Sequence, residues 1–169
     1  MRLRTLVLVV MALTLGLLTV SGSAAAAATP TCRSSQLRVS LGAAQGATGT
    51  LYRPVILTNA GGTCALWGAP AIQPVNGARR PVGPASRSAS VGEMPVRHVL
   101  THGQSVSAPF GVVPVTNYPS ARCRAASAAG IRVSLLPFLH PIYLRIALRS
   151  CTLQASTSTG LLVAGPRGY

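Results

Sequence analysis

Ile142-Tyr143-Leu144-Arg145-Ile146-Ala147-Leu148-Arg149 is the stretch that decides the fold class. Aliphatic residues hold every even position, and Tyr, Arg, Ala and Arg hold the odd ones. A period of two belongs to an extended strand, whose successive side chains point to opposite faces of a sheet. One face of this strand is expected in a core and the other in water. The same alternation recurs in Ile131-Arg132-Val133-Ser134-Leu135 and in Leu37-Arg38-Val39-Ser40-Leu41, and Val106, Ala108, Phe110 and Val112 share one parity.

Four further stretches read as strand-like: Tyr52 to Thr58, Cys64 to Pro74, Pro95 to Leu100 and Thr159 to Val163. Gly and Pro, 17 and 13 residues, punctuate the chain and discourage long helices. Asn59-Ala60-Gly61-Gly62 reads as a hairpin turn between two strands, and Gly103-Gln104 as another turn. Asn76 to Gly92 and Asn117 to Arg124 read as long connections, with Ala125 to Ala129 as one short helical turn. Seven to nine short strands with regular turn signals predict an all-β fold, a single antiparallel β-sandwich. No internal repeat and no second domain is evident.

Upstream of the strands lies a segment of another kind. Arg2 and Arg4 precede an uncharged, largely apolar run from Thr5 to Val20, and small residues follow through Ala28. This is the order of a cleavable secretory signal peptide, with Ala26-Ala27-Ala28 as the cleavage motif, so residues 1–28 are expected to be removed. The alternative is an uncleaved anchor, but the run falls short of the roughly 20 residues that a spanning helix needs. Cys32 lacks the residues expected before a lipidated cysteine. No later segment is long and apolar enough to span, so the product is expected to be secreted, extracellular or associated with the cell wall. Cys32, Cys64, Cys123 and Cys151 all follow the leader. An even count in an oxidising compartment predicts two disulfides. Four cysteines allow three pairings, and spacing alone does not choose between them. No CxxC occurs, so a zinc ribbon is not expected.

The charge is lopsided. All 15 basic side chains are arginine and Glu93 is the sole acid, for a net charge of +14, with two of the arginines in the leader. Such a chain attracts polyanions. Outside the cell the candidates are anionic cell-wall polymers or a membrane surface, and another envelope protein is a further possible partner. The bland alternative is a solvated basic surface with no chosen partner. The arginines closest in sequence are Arg79, Arg80 and Arg87, and Arg122 and Arg124, which makes them the basic candidates. Nucleic acid is not the expected partner, because aromatics make up 4% of the chain and no recognition motif appears.

The run Leu57-Thr58-Asn59-Ala60-Gly61-Gly62-Thr63-Cys64-Ala65-Leu66-Trp67-Gly68-Ala69-Pro70 resembles the LTN-x-GG-x-C-x-L-x-G-x-P core of a secreted actinobacterial family of unknown function, DUF4232. Asn117-Tyr118 before Cys123, then Ile131-Arg132-Val133, resembles its second block, and Cys151 and Leu162-Val163 fit its end. The resemblance covers about Cys32 to Pro166. It implies an immunoglobulin-like β-sandwich with disulfides Cys32–Cys64 and Cys123–Cys151. It brings no catalytic residues. Ala69 departs from the family, which often has an aromatic there.

A single carboxylate excludes much chemistry. Ordinary glycosidases and aspartic proteases need two, and calcium loops need several. A Ser-His-Asp triad has no Asp, and only Glu93 could stand in. G-x-S-x-G and GxGxxG are absent, and a chain without Lys has no phosphate loop ending in GK. No cofactor is expected. His98 and His102, with Glu93, are the remaining candidates for a metal. Four residues apart on a strand they lie about 13 Å from each other, too far to chelate unless the chain bends at Thr101 to Gly103. The competing reading is two loop histidines at a turn. His140 reads as a loop residue, Trp67 as core, and Leu136-Pro137-Phe138-Leu139 as an apolar loop. The leading reading is a non-enzymatic exported binding module. A small metal-binding or enzymatic domain and a purely structural envelope protein are the alternatives.

Overall fold

The computed structural model describes residues 28–135 and 139–168; the leader and Leu136-Pro137-Phe138 lie outside the described residues. Twelve strands, most of them short, follow one another: β1 (Leu37–Leu41), β2 (Gln45–Ala47), β3 (Thr50–Asn59), β4 (Cys64–Leu66), β5 (Ala71–Val75), β6 (Arg87–Ser88), β7 (His98–Leu100), β8 (Ser105–Val112), β9 (Ala125–Leu135), β10 (Leu139–Cys151), β11 (Thr157–Thr159) and β12 (Val163–Ala164). The count exceeds the expected seven to nine because β2, β6 and β12 are pieces of two or three residues at sheet edges. The fold is an all-β sandwich.

One layer is a seven-stranded sheet in the order β1-β3-β8-β11-β6, with β2 also on β3 and β12 also on β8. The facing layer is a three-stranded antiparallel sheet, β10-β9-β5. A short β4–β7 pair closes one end. Val55 and Phe110 from the large sheet meet Ile72, Ile131 and Val133 from the small one. Leu57 and Val106 meet Leu66, Leu100 and Leu135 at the β4–β7 end. The alternating aliphatics of β10 complete this core: Leu144, Ile146 and Leu148 pack on the first group and Ile142 on the second. Burying each such side chain contributes roughly 1.5–3 kcal/mol.

Cysteines 32 and 64 are bonded, as are 123 and 151, the pairing that the resemblance implies, with Cα separations of 4.8 and 4.4 Å. The first ties the segment before β1 to β4. The second ties a short α-helical turn, α1 (Ser120–Cys123), to the end of β10. Each such link typically contributes about 2–4 kcal/mol.

Four local expectations change. The Asn59-Ala60-Gly61-Gly62 turn is an arch, because β3 and β4 belong to different sheets. The Gly103-Gln104 turn likewise joins β7 to β8 across two sheets. Cys64 to Pro74 breaks into β4 and β5 at Gly68, whose φ of +97° suits glycine and ends the strand, and at the following Pro70. Ala125 to Ala129 is strand rather than helix. The helical turn ends earlier, at Arg124 in the left-handed region, and Ala125 already pairs with the disulfide-bonded Cys151.

Asn59 holds the two arches together. Its side chain is fully buried and saturated: Nδ2 donates to the Gly62 and Leu100 carbonyls at 2.9 Å each, and Oδ1 accepts from the Gly61 amide at 2.9 Å. Its backbone exchanges bonds with Gln104 and Gly103. Asn59→Ala removes three hydrogen bonds, one of them to the buried Leu100 carbonyl, so equilibrium denaturation of the disulfide-bonded protein should show a loss on the order of 2–4 kcal/mol. Arg53 gives the opposite case. It shares the inward parity of Val55 and Leu57, and its Nε is buried with no hydrogen-bond partner. An orphaned donor costs about 1–3 kcal/mol, so Arg53→Met should hold or raise thermal stability. A fall in Tm of more than about 4 °C would contradict this reading of Arg53.

Candidate functional site

The side of the small sheet that faces away from the core carries a group of arginines. Along β10 the aliphatics turn inward, so Tyr143, Arg145, Ala147 and Arg149 turn outward, with both arginines exposed. On β9, Arg132 lies opposite Tyr143 and, on its other side, opposite Gln73 of β5. Arg145 lies opposite Gly130. Arg132 is half-buried.

The Tyr143 ring lies flat against the strand at Gly130, where an added Cβ would come within 2.5 Å of it. Its hydroxyl donates to the Ala129 carbonyl at 3.4 Å. Over this ring sits the guanidinium of Arg79, 4.8 Å from the centroid. Arg79 arrives on a tight turn after β5. The Asn76 Oδ1 accepts from the Ala78 and Arg80 amides at 3.0 Å each, and the Asn76 amide donates to the Arg80 carbonyl at 2.9 Å. Within this turn Arg79 has φ +59°. Val75, Arg79, Arg132, Pro141 and Tyr143 enclose a cleft of about 250 Å³.

Among the five basic candidates, Arg79 lines this cleft and Arg80 is exposed on the same turn. Arg87 is on β6 at the edge of the large sheet and donates to the Ala155 carbonyl at 3.1 Å. Arg122 and Arg124 flank Cys123 at α1, beside the end of β10. Sequence proximity therefore misses the main partners of Arg79. Arg132, Arg145, Arg149 and Tyr143 are the polar side of the two clearest alternations. Laying those strands side by side would have grouped them.

The histidines do not build a metal centre. His98 lies on β7 with Nε2 2.9 Å from the Leu162 carbonyl, a bond in which that nitrogen must carry the proton. His102 and Glu93 are exposed, and no three His, Cys, Asp or Glu side chains converge among the described residues. His140 is exposed on β10 rather than in a loop. Trp67, expected in the core, is half-buried with the Arg97 guanidinium 4.5 Å over its ring. Arg97 also donates to the Thr29 carbonyl at 2.6 Å, pinning the first described residues to this edge. A wider groove of about 450 Å³ runs beside β7, but Arg97 is its only arginine and His98 is already engaged.

A family model described as a domain of unknown function, DUF4232, matches residues 32–163. The chain belongs to the DUF4232 family. Neither a curated protein nor a solved structure gives a match. The DUF4232 match runs from the first bonded cysteine to the start of β12, so it contains both disulfides, Asn59 and the whole arginine-bearing sheet. No helix among the described residues of this DUF4232 domain is long and apolar enough to cross a membrane.

Trp67 is the only tryptophan of the chain, which makes the Arg97 stack directly visible. Arg97→Ala should move Trp67 emission to longer wavelength as water reaches the indole. Stability should fall by no more than about 1 kcal/mol, the scale of an exposed cation–π contact. Unchanged emission would show that Arg97 does not cover the ring.

Proposed function

We propose that this DUF4232 chain is an exported, non-enzymatic binding domain that adheres through its arginine-bearing sheet to anionic polymers or headgroups of the cell envelope. One observation carries the reading: Arg79, Arg132, Arg145 and Arg149 share one sheet face in a chain whose only acidic side chain, Glu93, is on the loop before β7. At most one of these cations can be neutralised by a side chain of the protein itself. The face therefore presents uncompensated charge, and a polyanion is its natural counterpart.

Export supports the same reading. The leader-like segment and two buried disulfides both suit an oxidising compartment, where chromosomal nucleic acid is absent and anionic wall and lipid are at hand. The side chains present support a binding rather than a catalytic role: one carboxylate, no Lys and a His98 bonded to a carbonyl leave few partners for hydrolytic acid–base chemistry.

Retention on isolated envelope and on anionic vesicles across a salt series tests the proposal. Surface charges are screened beyond about 10 Å at 0.1 M salt, so bound protein should fall steeply as salt rises. Arg132→Gln, Arg145→Gln and Arg149→Gln together should release the protein at markedly lower salt. The same three-charge loss at Arg38, Arg122 and Arg167 should have a much smaller effect. Equal recovery in the soluble fraction at low and high salt would overturn the proposal.

A further inference from the structure

The cleft between Arg79 and Arg132 differs from the rest of the basic face. Arg145 and Arg149 are exposed cations on a strand surface. Arg79 is exposed as well, but its turn and its guanidinium are held, and Arg132 is half-buried. The Arg79 backbone sits at φ +59°, a conformation that L-residues adopt at a cost and keep when the surroundings impose it. Here the Asn76 side chain imposes it, through its two bonds from the Ala78 and Arg80 amides.

The support beneath is equally specific. Gly130 lacks the Cβ that would displace Tyr143, so the ring lies on the strand and offers its other side to the guanidinium. A guanidinium stacked on an aromatic face keeps its N–H edge free, and the planar fork of arginine matches oxyanions that present two oxygens. Arg132 is half-buried on the same cleft, directly across the ladder from Tyr143. Val75 is buried beneath the cleft, and Pro141 supplies its exposed apolar edge. Two forks beside an apolar edge suit an anion that carries both oxygens and carbon.

We propose that the Arg79–Arg132 cleft is a binding site for a phosphodiester bearing short polyol substituents, with the phosphate oxygens on the two guanidinium forks and the carbon skeleton against Pro141. It deepens the envelope-binding reading and rests on it for the compartment in which the ligand is met. Such a diester occurs both as the repeat of a polyol-phosphate polymer and as a phospholipid headgroup, and the chemistry recognised is the same.

The test is an NMR titration of the disulfide-bonded protein with glycerophosphoglycerol, with sulfate and acetate as control anions. Saturable one-to-one binding of the diester, at least tenfold tighter than either control, is expected. Arg79→Ala and Arg132→Gln should each weaken it at least tenfold, and Asn76→Ala, which releases the turn, at least threefold. Arg79→Lys keeps the charge but loses the fork and should still lose about fivefold. Arg145→Gln with Arg149→Gln removes two charges and should change affinity less than twofold. Equal weakening by both pairs would reduce the site to a general field effect and overturn it, as would binding of sulfate as tightly as the diester. Free diester should displace bound protein from polyol-phosphate polymer, from phosphatidylglycerol vesicles, or from both, and the surface it clears identifies the source. Where the protein is retained on either surface, displacement from neither overturns the site. Salt-sensitive retention without diester binding defeats this inference alone, whereas diester binding without salt-sensitive retention defeats the envelope reading and leaves the cleft standing.

Discussion

The carboxamide of Asn59 joins the large sheet to the β4–β7 pair that closes the sandwich. It lies at the end of β3, fully buried, and its three hydrogen bonds reach the arch that leads to β4 and the carbonyl that ends β7. Both arches leave one sheet and enter another, so neither is stabilised by the ladder that makes a hairpin self-sufficient. Without Asn59 the buried Leu100 carbonyl would lose this partner, at a cost comparable to losing the bond outright. Cys64 follows five residues after Asn59, and its disulfide fixes β4 against the incoming N-terminal segment. Side chain and disulfide together hold the β4–β7 pair across the end of the sandwich, where Leu66 and Leu100 seal the core. That seal leaves the small sheet packed on one side only, with its other side in water.

A chain with one carboxylate must solve a problem that most basic proteins solve with ion pairs. Here the arginines turn to other acceptors. Arg79 uses the Tyr143 ring and Arg97 the Trp67 ring, and Arg87 and Arg97 donate to backbone carbonyls. Rings and carbonyls orient a guanidinium without cancelling its charge. The result is a set of positioned cations whose field survives folding. A carboxylate at any of these places would have given comparable order with the charge removed.

The alternations in β1, β8, β9 and β10 are legible because a half-buried strand leaves a period of two in its side chains. They establish the layer architecture and even the sides of β9 and β10 that meet water. Reading stops where the outcome depends on partners remote in sequence. Asn59-Ala60-Gly61-Gly62 has the composition of a hairpin turn, and only the pairing of β4 with β7 makes it an arch. Ala125 to Ala129 has helical propensity, which is a weak prior, and the ladder with β10 overrides it. The basic site was half legible. Arg132, Arg145 and Arg149 follow from the alternation, but Arg79 lies more than fifty residues before Arg132 and joins it because β5 pairs with β9. Proximity along the chain instead favoured Arg87 and the Arg122–Arg124 pair, which belong to other edges.

The arginine face also bears on how the sandwich holds together. Like charges on adjacent strands repel, and β9 and β10 carry Arg132, Arg145 and Arg149 on one surface. What opposes that repulsion is covalent and apolar rather than electrostatic. The Cys123–Cys151 disulfide closes the end of the β9–β10 ladder at the Ala125–Cys151 pair, and the aliphatic side of β10 anchors its length. A bound polyanion acts on the same balance from outside. It interacts with the face only when the strands are aligned, so it favours the folded state by mass action. It also removes the repulsion that the disulfide and core otherwise carry alone. An unneutralised cationic surface and a stapled sheet are thus two parts of one arrangement. The staple allows the charge to remain without a partner in the free protein, where it is available to a polyanion.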